Sequence, residues 1–413
     1  MLDRDPEVTD LSTLLTTGKV VDGRQSYPPA VLRLAFRPFF LLGALFSMIS
    51  LALWGAAIGG VMDPVVYGGP QWWHMHEMLF GFVSAIVVGF LLTAVRTWTG
   101  QPGLQGIYLA CLVLLWFVGR VTLFFPILLP TWTTAVVDLV FLPMAALILA
   151  IPIVRVKQWR NIVFVPLLLV MTAANAAMHW AAYTGDGMLQ LQASTAMVML
   201  VTLLMSVMAG RVLPMFTANG TGTERVVAIG WLEKLALISM LLALAASLVP
   251  SGEYPGVMAS CFILAALVHG TRAFRWRIWV TFRTPLVWSL HLSYWCIPLG
   301  LLLYGLSRVV PGITHSQATH TLTVGAMGMM ILAMISRVSL GHTGRPLRVA
   351  KIMVGAFVAL FSAFVVRVFG VYWFDDYTNL ISTATLLWVV AYGCFVVLYM
   401  PILIRPRIDG QPG

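Results

Sequence analysis

The stretch "QWWHMHEMLFGF", residues 71–82, sets two histidines and a glutamate at the head of a long apolar run. Ionisable side chains at membrane depth are costly and by default mark a functional site. Imidazole is the ligand that haem iron and copper share, and a neighbouring carboxylate can orient a ligand, bind metal itself or carry protons. His74 and His76 stand two residues apart, about 200° around a helix, so in a helix they serve two sites on opposite faces. In an irregular segment both can chelate one metal. Glu77 is the candidate for catalytic proton work. Its plainer role is an acid in the first turn of a helix, where the dipole favours it.

The eight histidines fall into two layers. His76 lies twenty residues before Arg96, about 30 Å of helix, and His320 seventeen before Arg337, about 26 Å. His179 follows Arg160 by nineteen residues, about 28 Å. With His74 and His315 these form an outer layer, while His269, His291 and His342 form an inner one. A single histidine at a helix end is usually a satisfied interfacial group. Five in one layer point to metal, and all eight are candidate ligands. The inner three suit a second haem or copper, or plain interfacial positions.

Arg120, Arg308 and Arg367 lie toward the outer ends of the third, ninth and eleventh apolar runs, where acids are few, chiefly Glu77 and Asp138. Either they snorkel to the headgroups or they hold the carboxylates of a bound cofactor, such as haem propionates.

The elements that must carry these residues are transmembrane helices. The 413-residue chain is 60% hydrophobic and 10% charged, and twelve apolar runs near the length of a hydrocarbon core succeed one another, from about 39–61 to about 379–403. The expected fold is an all-α integral membrane protein: a cytoplasmic tail at 1–32, a twelve-helix domain at 33–403 and a second tail at 404–413. The first run is too long for a cleaved signal peptide. The net charge of +10 suggests nucleic acid until its placement is considered. Of the 25 Lys and Arg, all but Arg120, Arg308 and Arg367 fall on one side, against basic-poor loops such as "TGDG" and "PSGEYPG". That asymmetry puts both termini in the cytoplasm and reports topology, with no nucleic-acid partner. Cys111, Cys261, Cys296 and Cys394 sit singly in apolar runs, without a CxxCH for attached haem.

From His76 the chain reads Gly81 and then "TGQP" at Thr99–Pro102; from His320, at the same offsets, Gly325 and "TGRP" at Thr343–Pro346. The sixth run echoes this weakly: Arg211 and Thr217 match Arg337 and Thr343, and Ser194 replaces the histidine. Runs two, six and ten are four apart, the pattern of three four-helix repeats. Equivalence makes His76 and His320 the expected axial pair of one haem.

"RLAFRPFFLLG", "WHMHEMLFGF", "HGTRAFRW", "LHLSYW" and "HTLTVGAMGMM…SRVSLGHTGRPL" resemble the NnrS family over nearly the whole chain. The resemblance implies a bacterial inner-membrane protein that contains b-type haem and copper and is tied to denitrification and nitric oxide tolerance. It implies cofactor roles for His74, His76, His269, His291, His320 and His342 without dividing them between metals. Twelve helices with histidines near the outer ends of the second and tenth are also similar to haem-copper oxidases. Their copper-ligand histidines on the sixth and seventh helices are missing here.

Three functions follow as expectations. The first is a haem- and copper-binding protein that reduces or buffers nitric oxide near the outer face, as a nitric oxide reductase-like oxidoreductase if it is an enzyme. Its electron donor would be quinol or a soluble protein. The second is a transporter or channel, with Glu77 and Asp138 as coupling carboxylates, though the polar groups avoid the midplane where such sites lie. The third is a non-enzymatic protein that protects metal pools.

Overall fold

The structure, a computed structural model, describes residues 20–21, 24–25, 27–250 and 253–411. Most of the expected tail at 1–32 lies outside these. Twelve helices are long and apolar enough to cross a membrane. They are α1 (Phe36–Ile58), α2 (Pro70–Thr99), α3 (Gly106–Phe124), α4 (Thr131–Arg155), α5 (Trp159–Thr184) and α6 (Gly187–Thr221). There follow α7 (Gly230–Ser247), α8 (Pro255–Val280), α9 (Pro285–Leu306), α10 (His315–His342), α11 (Lys351–Tyr372) and α12 (Tyr377–Ile404). The protein is a multi-pass membrane protein of twelve helices.

Burial separates interior helices from surrounding ones. In α2 and α10, 78% of the apolar window is buried, in α6 72% and in α9 67%, against 28–44% elsewhere. The twelfth helix packs along the first, and there Arg37, fully buried, donates from its guanidinium to the carbonyls of Leu403 (2.9 Å) and Arg405 (2.7 Å).

Local sequence explains how α2 and α10 begin and end. Gly69 takes a left-handed φ of 84° before Pro70 opens α2, the helix position where proline loses no hydrogen bond. Thr314 and Gln317 form a capping box at the head of α10. At the other ends, Thr99 and Thr343 bond back to the carbonyls of Val95 and Ser339. Gly100 and Gly344 then turn the chain with φ of 66° and 76°. The shared "TGxP" is a helix stop.

Both helices are interrupted by a π segment, Glu77–Val83 after His76 and Thr321–Gly328 after His320. A π segment disturbs the i→i−4 ladder, and lipid offers no water to satisfy the carbonyls it displaces. Aromatic donors from neighbouring helices do so. The Trp116 indole donates to Gly81 O (2.9 Å) and the Tyr392 hydroxyl to Gly328 O (2.8 Å). Trp116→Phe and Tyr392→Phe should each lower stability by about 1–3 kcal/mol, the cost of a buried group left unpaired. Thermal unfolding in detergent reads this, and unchanged transitions in both variants would show that the carbonyls find other donors.

Candidate functional site

The first seven residues of α2, Pro70–His76, are regular helix, so His74 and His76 point to opposite sides. Of the two arrangements open at the sequence level, the structure has the two-sided one.

On one side is a cavity of about 460 Å³ at the end of the bundle where α2, α6 and α10 begin. Its walls come from α1, α2, α6, α10, α11 and α12, and His74, His315, His320 and Arg367 line it among mostly apolar groups. The His320 Nδ1 lies 2.8 Å from the carbonyl of Ser316, one turn earlier. With Nδ1 as the donor, Nε2 is left as an electron-pair donor. The His74 ring stacks on Trp54 with centroids 4.5 Å apart, and its buried Nδ1 has no hydrogen-bond partner. His315 Nε2 meets Thr195 at 3.3 Å, and Arg367 donates to Ser316 Oγ at 3.2 Å. Met75, Met78 and Met327 add soft thioether surface.

On the other side is a dry cluster of charges. His76 is held between Trp72 and Phe80, with ring centroids at 4.4 and 5.1 Å. Its Nδ1 meets Glu77 Oε1 at 3.0 Å, and its Nε2 meets Asn175 Oδ1 at 2.8 Å and Asp138 Oδ2 at 3.2 Å. The guanidinium of Arg120 donates to Glu77 Oε1 at 2.8 Å and, from its other nitrogen, to Asp138 Oδ1. Asn175 Nδ2 and His179 Nε2 meet Asp138 Oδ2 at 2.7 and 3.1 Å. Tyr67, in the loop before α2, reaches His179 Nδ1 at 3.2 Å, and burial raises its phenol above the ordinary value, which keeps the hydroxyl protonated as a donor. Gly81 makes room for the pair, since a Cβ there would stand 2.7 Å from an Arg120 nitrogen and 2.9 Å from Glu77 Oε2.

Several expected groupings are not brought together. His76 does not line the cavity that holds His320; His74 does. His74 and His76 stand about 200° apart around the regular first turns of α2, so only one of them can face that cavity. Arg120 is an ion-pair partner deep in the cluster and is not among the cavity's lining residues. Glu77 lies in the same cluster, and its Oε2 is buried without a partner. Arg308 follows the last turn of α9 and is not among the cavity's lining residues.

The inner histidines also stand apart. His269 spends both nitrogens, on the Tyr294 hydroxyl (2.8 Å) and the Ala236 carbonyl (3.2 Å). Arg272 joins that network through Glu233, Ser206 O and Tyr294. His291 Nε2 meets Thr217 Oγ1 at 2.7 Å. His342 lines a separate polar cavity at the far end.

Asn175 and Tyr67 went unnoticed at the sequence level. An asparagine inside an apolar run was the available signal, because a buried amide must find partners. Among the described residues, one group of at least three metal-capable side chains converges, His76, Asp138 and His179, with donor atoms within 4.8 Å of each other.

The NnrS family model, described as "NnrS protein", matches residues 30–407. No curated protein matches the chain.

Arg120→Gln should be among the most destabilising single changes in the molecule. It leaves Glu77 and Asp138 buried without their guanidinium, a loss of about 3–5 kcal/mol. Chemical or thermal unfolding measures it; a loss below about 1 kcal/mol, the scale of exposed pairs, would mean that water reaches the cluster.

Proposed function

Because the chain belongs to the NnrS family, whose membership fits a membrane protein tied to the nitric oxide response, we propose that it binds b-type haem between His74 and His320 and acts there on nitric oxide. The observation that carries this reading is the His74–His320 cavity. It joins two imidazoles from different helices, an arginine and an apolar lining in a volume of about 460 Å³, within the range of cofactor sites. The residues fit the group. A metal-ligating histidine donates its second nitrogen to an acceptor such as a backbone carbonyl, and His320 does so to Ser316. The orphaned His74 Nδ1 is the kind of buried polar atom that a ligand satisfies.

In this reading His74 and His320 would hold the iron, the Trp54 ring would fix the plane of His74, and Arg367 would offer its charge to a propionate. Haem iron, when bound, would supply a one-electron couple, and a nitric oxide ligand site only where one of the two imidazoles gives way. The apolar walls admit a small neutral gas and exclude water. Whether nitric oxide is reduced or only bound then turns on an electron donor, quinol or soluble protein. The membrane would be the bacterial inner membrane, with this cavity toward its periplasmic side.

Copper, the other metal of the resemblance, fits less well. His76, Asp138 and His179 have the right donor types, but every nitrogen of the two rings is already hydrogen-bonded and Arg120 sits against Asp138. A second cation there must displace the guanidinium, so no step is assigned to copper at this cluster.

Purified protein from haem-replete cells should show a Soret band with one iron per haem. His74→Ala and His320→Ala should each abolish the band or change its spin state, whereas His76→Ala should keep it wherever the variant folds. An unaltered spectrum in either of the first two refutes the ligand pair. Anaerobic addition of nitric oxide to the reduced protein then distinguishes steady consumption from stoichiometric binding.

A further inference from the structure

We infer that the opposite end of the bundle carries a second binding site, for a phosphate-bearing anion. This rests on charge and shape there and is independent of haem. The last turns of α2 and α10, the segment leading into α1 and the C-terminal tail enclose a polar cavity of about 340 Å³. Arg96, His342 and Arg407 line it together with Thr97 and Gln411, and no carboxylate is among its described lining residues. Further arginines crowd the same place: Arg37 interacts electrostatically with Arg33, Arg345 and Arg407, and His342 with Arg407, Arg96 and Arg37.

The nearby carboxylate is Asp409. Arg407 grips it through two bonds of 2.9 and 2.5 Å and holds its carboxyl down at about 2, so it is ionised under all ordinary conditions. It offsets one charge of the group. The guanidinium fork matches phosphate oxygens two at a time. Basic pockets between helices on the cytoplasmic side, where the charge asymmetry puts this end, are suited to phosphate headgroups.

The helices that contribute Arg96, Thr97 and His342 to this cavity end just beyond those residues, at the left-handed turns of Gly100 and Gly344. Gly344 also seats the tail, since a Cβ there would stand 2.9 Å from Asp409 Oδ2.

The phosphate can belong to a free anion or to an anionic phospholipid, and the experiment separates them. Full-length protein is reconstituted in phosphatidylcholine nanodiscs and titrated calorimetrically with inorganic phosphate. In parallel, native mass spectrometry measures retention of phosphatidylglycerol from mixed membranes. Saturable phosphate binding supports a free anion; selective retention of the lipid supports a headgroup. In either arm Arg96→Gln and His342→Gln should weaken binding tenfold or more and leave thermal unfolding unchanged. Both variants are chosen because neither touches the tie between Arg407 and the His342 carbonyl. Folded wild-type protein that takes neither ligand, or binding that both variants keep, overturns the proposal.

Discussion

A guanidinium inside a hydrocarbon slab must have acceptors against it, and where those are carboxylates, as at Arg120, the requirement organises one end of this molecule. Arg120 on α3 lies between Glu77 of α2 and Asp138 of α4, and Asn175 and His179 of α5 complete the shell. Four helices are bound to each other by one side chain's need for charge. At an effective dielectric constant of 20 and 4 Å, each such attraction is about 4 kcal/mol, comparable with the desolvation it must offset. Two carboxylates face one guanidinium, so one further proton makes the group neutral. Both nitrogens of His76 face acceptors of this group.

The same helix shows a different chemistry on its other face. Away from the ions, α2 presents His74, Met75 and Met78 to an apolar cavity shared with α6 and α10. Because α2 and α10 are largely enclosed by protein, they tolerate π segments that lipid-facing helices could not carry. Their displaced carbonyls meet an indole and a phenol instead of lipid. Irregular backbone, polar side chains and cavity coincide because each needs shelter from the hydrocarbon.

Much of this was legible in the residues alone. Twelve apolar runs became twelve helices, since hydropathy over twenty residues is a direct consequence of bilayer thickness. The spacing of His74 and His76 left two faces or one chelating pair open until the segment was seen to be regular helix, and Glu77 and Asp138 were visible as the chief intramembrane acids. Their common attachment to Arg120 was not, because it depends on how α3 and α4 pack. The pairing of His76 with His320 rested on matching offsets, which say nothing about which residues face each other; the structure puts His74 along the cavity with His320 and His76 in the ion cluster. The π segments left no trace in composition. Nor did the inner histidines announce that each would be absorbed separately, by a phenol, a threonine and a polar cavity.

The contact between the first and last helices bears on how the molecule is made. Arg37 enters with the first span, yet the two carbonyls that receive its NH1, those of Leu403 and Arg405, come 366 and 368 residues later. Every intervening span must be synthesised before these acceptors exist. The contact between the first and last spans therefore forms only once the final helix is made, and a chain that stops short of it leaves the Arg37 guanidinium without these two acceptors.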